Sequence, residues 1–166
     1  TKTIKEIYES DGRWNNDYVK VIYNGVESDV DQVNEFDYSQ YIKHSKKPFI
    51  VLSTGRLSTQ KGFKYLIEAA KEVVKIHPNV YFFIAGKGKL RNELLEQIAR
   101  NNLKSNVFLI GFQENVSSLL KGTNLFVLPS LYEGMPNSVM EAMAFGIPVI
   151  STNVNGVSEL MQDKEH

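Results

Sequence analysis

The chain has 166 residues, with 19 Lys and Arg against 19 Asp and Glu, 42% hydrophobic residues and no cysteine. A length of this order buries roughly two thirds of the unfolded surface, and the balanced charge argues against a dedicated nucleic-acid binder or a polybasic membrane anchor. The missing cysteines exclude a disulfide scaffold, a thiol nucleophile and the usual zinc-finger spacings, and no apolar run approaches the ~20 residues of a membrane span.

Residues 1 to 47 are polar and tyrosine-rich, with one short apolar stretch, Val19 to Tyr23, ended by the turn signal Asn24-Gly25. They read as a strand followed by a long connecting segment. Trp14, with Tyr8 and Tyr18, is expected to anchor this segment or to cover a neighbouring surface, and His44 among Lys43, Lys46 and Lys47 reads as a solvated basic link. From Pro48 onward, short apolar runs alternate with longer segments of helical periodicity. The run Phe49 to Thr54 is followed by Leu66, Ile67, Ala70, Val73 and Val74 on one helical face, ended by His77-Pro78. Val80 to Ala85 comes next, then an amphipathic stretch with Leu90, Leu94, Leu95 and Ile98 turned inward. A strand is predicted over Val107 to Ile110, a short helix through Leu119-Leu120, and a further strand over Leu125 to Leu128. A helix from about Asn137 to Phe145 is stopped by Gly146 and Pro148, then come the strand Val149 to Ser151 and a last helical turn over Val157 to Met161.

The strands are nearly all apolar, as expected when helices cover both faces of a parallel sheet. The fold class read from this is α/β, a Rossmann-like open parallel sheet, in which ligands lie outside the carboxyl ends of the strands. The residues just after each strand therefore form one rim. After the first strand come Gly55-Arg56 and, near the start of the next helix, Lys61-Gly62. A guanidinium fork and an ammonium point charge beside a helix terminus suit a diphosphate, although a turn with two solvated cations fits the same spacing. After the second strand, Gly86-Lys87-Gly88 permits close backbone approach, but Arg91 stands where a dinucleotide fingerprint would have its third glycine. After the fourth strand, Glu133 lies in a loop and Glu141 about a turn or more inside the helix that Pro136 and Asn137 begin. Carboxylates match the vicinal hydroxyls of a sugar, and N–H groups around Met135 to Ser138 match oxygens that carry negative charge. A capped helix with one exposed glutamate accounts for the same residues.

Taken in order, these rim motifs resemble the C-terminal, donor-binding domain of the GT-B glycosyltransferases of family 4, which are retaining nucleotide-sugar transferases. The resemblance covers residues 48 to 161 and rests on Gly55-Arg56-Leu57 with Lys61-Gly62, Ile84-Ala85-Gly86 with Gly88, Val107 with Gly111-Phe112, Pro129-Ser130 with Glu133-Gly134, Glu141 to Val149, and Gly156 with Glu159. Asn24 to Glu27 is similar to the family's hinge, with Glu27 in place of an aspartate, and Asn155-Gly156 stands where many members have two glycines. The resemblance implies that Arg56 and Lys61 contact the donor diphosphate and that Glu133 holds sugar hydroxyls. It further implies that backbone groups at Gly134, Met135, Pro136 and Asn137 support sugar or phosphate oxygens, that Glu141 takes the ribose, and that Gly55, Gly86 and Gly88 border the donor. Glu133, Arg56 and Lys61 would be the catalytic set, with no bound metal or other cofactor.

On this reading residues 1–47 are a hinge segment toward an N-terminal acceptor domain of the same protein, and residues 48–166 are a donor-binding domain cut short at its C-terminus. The start at Thr1 and the polar end Asp163 to His166 fit that expectation. Alone, such a half should bind a UDP-, GDP- or ADP-sugar weakly and transfer nothing efficiently. A cytoplasmic location is expected, with peripheral membrane contact through the other half and no nucleic-acid partner. A non-catalytic nucleotide-sugar binding module is the alternative, followed by an NAD-binding domain or a UDP-sugar epimerase. Asp29-Val30-Asp31 superficially matches a metal-binding Asp-x-Asp, but it reads as a solvated acidic loop.

Overall fold

The computed structural model describes residues 1–11, 20–26, 33–42 and 47–161. Trp14, Tyr18, Val19, Glu27, the Asp29-Val30-Asp31 segment, His44 and the last five residues lie outside the described residues. Helix α1 spans Lys2–Ser10, and from residue 49 the elements alternate: β1 Phe49–Thr54, α2 Phe63–Ile76, β2 Val80–Ala85, α3 Arg91–Arg100, β3 Val107–Gly111, α4 Val116–Lys121, β4 Leu125–Leu128, α5 Asn137–Ala144 and β5 Val149–Ser151. The five strands form one sheet in the order β3-β2-β1-β4-β5, and every pairing is parallel. The register runs Phe49 against Val80 through Thr54 against Ala85 between the central strands. It slips between Ile84 and Ala85 where β2 meets β3.

Alternate side chains of the central strands feed two cores. Ile50, Leu52, Tyr81 and Phe83 pack with Leu119 and Leu120 of α4 and Val139 and Ala142 of α5. Val51, Phe82 and Ile84 pack on the opposite face with Phe63, Leu66, Ile67 and Ala70 of α2 and Leu94 and Ile98 of α3. All six residues of β2 are buried, which explains the absence of polar alternation in that run. The fold is thus a Rossmann-like α/β sheet covered on both faces. His77 ends α2 with its N–H on the Val73 carbonyl, one residue before Pro78. No helix among the described residues is long and apolar enough to cross a membrane.

Ahead of β1, Phe36, Tyr38 and Tyr41 join an aromatic cluster, with the Tyr38 and Phe83 centroids 4.5 Å apart and Phe83 stacked on Phe108 at 5.1 Å. The Tyr38 hydroxyl donates to the Leu119 carbonyl at 2.8 Å, and burial pushes its phenol up to about 12.

The last turn over Val157 to Met161 is present as a single helical turn, the Leu160 and Met161 N–H groups both donating to the Val157 carbonyl. Three local expectations fail. Residues 20–26 form no strand, and Ile22 is 88% exposed, because none of the described strands pairs with them. Leu95 faces outward at 37% exposure, since Leu94 and Ile98 alone supply the buried positions of α3. Helix α1 lies in a segment read as strand and connection. Its Ile4, Ile7 and Tyr8 are all partly exposed, so the apolar spacing that marks it does not report burial.

Candidate functional site

Strand β1 lies between β2 and β4, so the crossover direction reverses beside it, and the loops after β1 and β4 meet at the carboxyl rim. The meeting is cross-braced. The Leu131 N–H donates to the Gln60 carbonyl at 2.8 Å, and Gln60 Nε2 donates to the Tyr132 carbonyl at 3.1 Å. Gly62 sits between the turn Thr59–Lys61 and α2 at φ +64, where a Cβ would lie 1.9 Å from the Pro129 carbonyl oxygen. Only glycine permits both this left-handed conformation and this approach.

The braces bring Lys61 to Glu133. Lys61 Nζ lies 2.6 Å from Glu133 Oε1, with 19% and 8% of the two side chains exposed. Ser130 Oγ, fully buried, donates to the same oxygen at 2.7 Å, and the Thr152 hydroxyl donates to the Ser130 carbonyl. Glu133 is therefore neither an exposed loop glutamate nor separated from the cations. It is the acceptor of a part-buried network that spans the loops after β1, β4 and β5.

Arg56 is exposed and borders a cavity of about 350 Å³ at the ends of β1, β2 and β3, lined also by Gly55, Gly86, Lys87, Phe112 and Gln113. The Phe112 ring is 60% exposed, with Lys87 Nζ 4.9 Å from its centroid. A Cβ at Gly86 would lie 1.8 Å from the Gly55 carbonyl oxygen, so packing between the β1 and β2 loops requires glycine there whatever binds.

Helix α5 starts after Pro136, and no side chain caps its N-terminus. The Asn137 side chain instead accepts from Asn24 Nδ2 at 2.8 Å. Ile4 of α1 lies over Gly134, and Gly156 packs against the Gly134 carbonyl and Met135. Glu141 is half-buried, and desolvation raises its carboxyl above the usual range. Burial also works against ionisation of Glu159, but hydrogen bonds from the Lys2 and Thr3 N–H groups, the Tyr23 hydroxyl and the Thr3 hydroxyl outweigh it and hold the carboxyl at about 2. Among the described residues no group of three or more His, Cys, Asp or Glu could hold a metal ion.

The structure thus joins Lys61 with Glu133, sets Arg56 at the cavity, and leaves Glu141 half-buried on α5, outside that ion pair. Sequence reasoning missed Ser130 and Thr152 as supports of Glu133, and Lys87 with Phe112 as a pair. The positions just after β4, β5 and β3 were the available signal, because every rim residue is a candidate.

The family model for glycosyl transferases group 1 matches residues 34–166. The chain is 41% identical over 92% of its length to an uncharacterized glycosyltransferase of Methanocaldococcus jannaschii, covering 38% of that protein. It is 35% identical over 97% of its length to the UDP-Gal:alpha-D-GlcNAc-diphosphoundecaprenol alpha-1,3-galactosyltransferase of Escherichia coli, covering 42% of that protein. The chain therefore spans about two fifths of these curated relatives. Among solved structures, Anabaena HepE in complex with UDP matches with a TM-score of 0.80 and 26% identity over 98% of the chain and 46% of its own. With this sheet order, this rim and a family match over most of its length, the chain belongs to the glycosyl transferases group 1 family, whose structures have the GT-B fold.

Proposed function

We propose that this chain is the donor-binding half of a retaining glycosyltransferase that moves a hexose from a nucleoside-diphosphate sugar to a carbohydrate or lipid-linked acceptor. The observation that carries the reading is the Lys61–Glu133 pair on the rim beside β1, with Arg56 in the same loop at the mouth of the neighbouring cavity. Cations and an acceptor carboxylate within one braced site fit a diphosphate joined to a sugar. The neighbouring cavity, with the exposed Phe112 ring, suits the nucleotide base by stacking. Glu141, half-buried on α5, suits the ribose hydroxyls.

In transfer, the bond from the anomeric carbon to the diphosphate oxygen breaks, one to an acceptor oxygen forms on the same face, and the acceptor's hydroxyl proton passes to the departing diphosphate. Negative charge grows on the departing diphosphate. Arg56, Lys61 and the uncapped start of α5 near Met135 to Asn137 would stabilise it there, which is where donors lower a barrier. The reading assigns this charge to protein groups and to no resident metal. Residues 1–47 would lead to an N-terminal domain that supplies the acceptor site and any peripheral membrane contact, in a cytoplasmic enzyme that has no nucleic-acid partner.

Calorimetry of the chain with UDP, GDP, ADP, their hexose conjugates and NAD tests the reading, with EDTA present in a parallel set. At least one nucleoside diphosphate and its sugar are expected to bind at up to millimolar concentration, unaffected by EDTA and better than NAD. No binding by any of them would overturn it, and preferential NAD binding would favour the dinucleotide alternative.

A further inference from the structure

The Lys61–Glu133 pair stands between two chemistries that belong to different parts of one donor, the diphosphate and the sugar. Its contact of 2.6 Å, between side chains 19% and 8% exposed, is screened little by water, so each charge largely occupies the other. Ser130 Oγ holds the same carboxylate oxygen at 2.7 Å, and the Ser130 carbonyl is itself held by Thr152. The carboxylate is thus held by a second donor that is independent of Lys61. Arg56, by contrast, is exposed and ion-paired with no other described residue.

We infer that Glu133 selects the intact sugar-bearing donor over the bare nucleoside diphosphate by competing with the diphosphate for Lys61. The inference rests on the donor-binding reading above. A bare diphosphate approaches the carboxylate as a like charge and draws Lys61 from it, leaving a buried carboxylate with a lost partner, which is costly. A sugar-bearing donor returns hydroxyl hydrogens to that carboxylate as Lys61 turns to the phosphates. The penalty therefore falls on the molecule left after transfer and favours its release, a case of selectivity built by repulsion as well as attraction.

Titration calorimetry of the wild-type chain and Glu133→Gln, with UDP and with inorganic pyrophosphate as a base-free probe, tests this. The variant is expected to bind both probes about tenfold more tightly, the size of one partly screened charge interaction at close range. The gain is expected to shrink in a Lys61→Met background, where no ammonium is left to compete for and only the like-charge repulsion remains. Glu133→Ala removes the same charge without an amide to satisfy and is expected to behave alike, which covers a failure of the Gln variant to fold. If the wild type binds either probe and neither variant binds it more tightly, the inference is overturned while the donor reading stands. A gain that is undiminished with Lys61→Met overturns it as well, because the competition would not run through that lysine. Binding of neither probe by any of these proteins removes the donor reading and the inference together.

Discussion

Around Glu133 the rim is cross-braced, whereas around Phe112, at the end of β3, it is open. The first region joins the loops after β1, β4 and β5 through Gln60, Ser130, Thr152 and the Lys61–Glu133 pair, with Ser130 and the Glu133 side chain out of water. The second offers a ring 60% exposed, a cation 4.9 Å from its centroid and the side of a 350 Å³ cavity. The contrast teaches that stability and recognition are coupled at one end of the site and separable at the other. Changes on the braced side should cost folding free energy, and changes on the open side should leave it nearly untouched.

The largest expected effect is that of Gly62→Ala, which places a Cβ 1.9 Å from a carbonyl oxygen at φ +64 and should cost about 3 kcal/mol or more in chemical denaturation, as such clashes and strains do. A cost below about 1 kcal/mol would show that the two loops are not rigidly braced. Lys61→Met should destabilise by about 2 kcal/mol, less than for a fully buried pair, because it strands the Glu133 carboxylate. An unchanged unfolding midpoint would make that pair a surface contact in energetic terms. Arg56→Ala should weaken nucleoside diphosphate binding by about 1 to 2 kcal/mol while stability stays within ~0.5 kcal/mol, since the side chain is exposed. Equal affinity by calorimetry would remove Arg56 from the site.

The smallest effect concerns Glu141. Its folded carboxyl lies above the ordinary range through desolvation, so the folded state holds more proton than the unfolded state as pH passes between the two values. Stability therefore falls as pH rises through that window, and the cost persists above it. Glu141→Gln should give a small gain in stability at neutral pH that disappears below the ordinary glutamate range. A gain independent of pH would assign the effect to packing instead.

Much of the sheet was legible in the sequence because each strand is an apolar run closed by a turn signal, and the helices between them carry periodic stripes such as Leu66, Ile67 and Ala70. The rim followed from the same reasoning. The contact of Lys61 with Glu133, 72 residues apart, was not legible. It depends on β4 pairing with β1 after the chain has crossed back over the sheet, and local periodicity does not encode strand order. The N-terminal part was misread for a related reason. Val21 and Ile22 favour a strand but pair with none of the described strands, while α1 is docked through its end, by Glu159 on the Lys2 and Thr3 N–H groups. Such docking leaves no apolar signature. Between the ordinary glutamate value of 4.5 and about 2, protonation of Glu159 should release that end as pH falls.

The central claim is that one donor lies across the braced and the open parts of the rim. A crystal structure of the chain with the nucleoside diphosphate it binds most tightly tests this most directly. The account expects the phosphates within hydrogen-bond reach of Arg56 and Lys61, with the base in the cavity beside Phe112. A nucleotide bound elsewhere, or one whose phosphates touch neither cation, would contradict it.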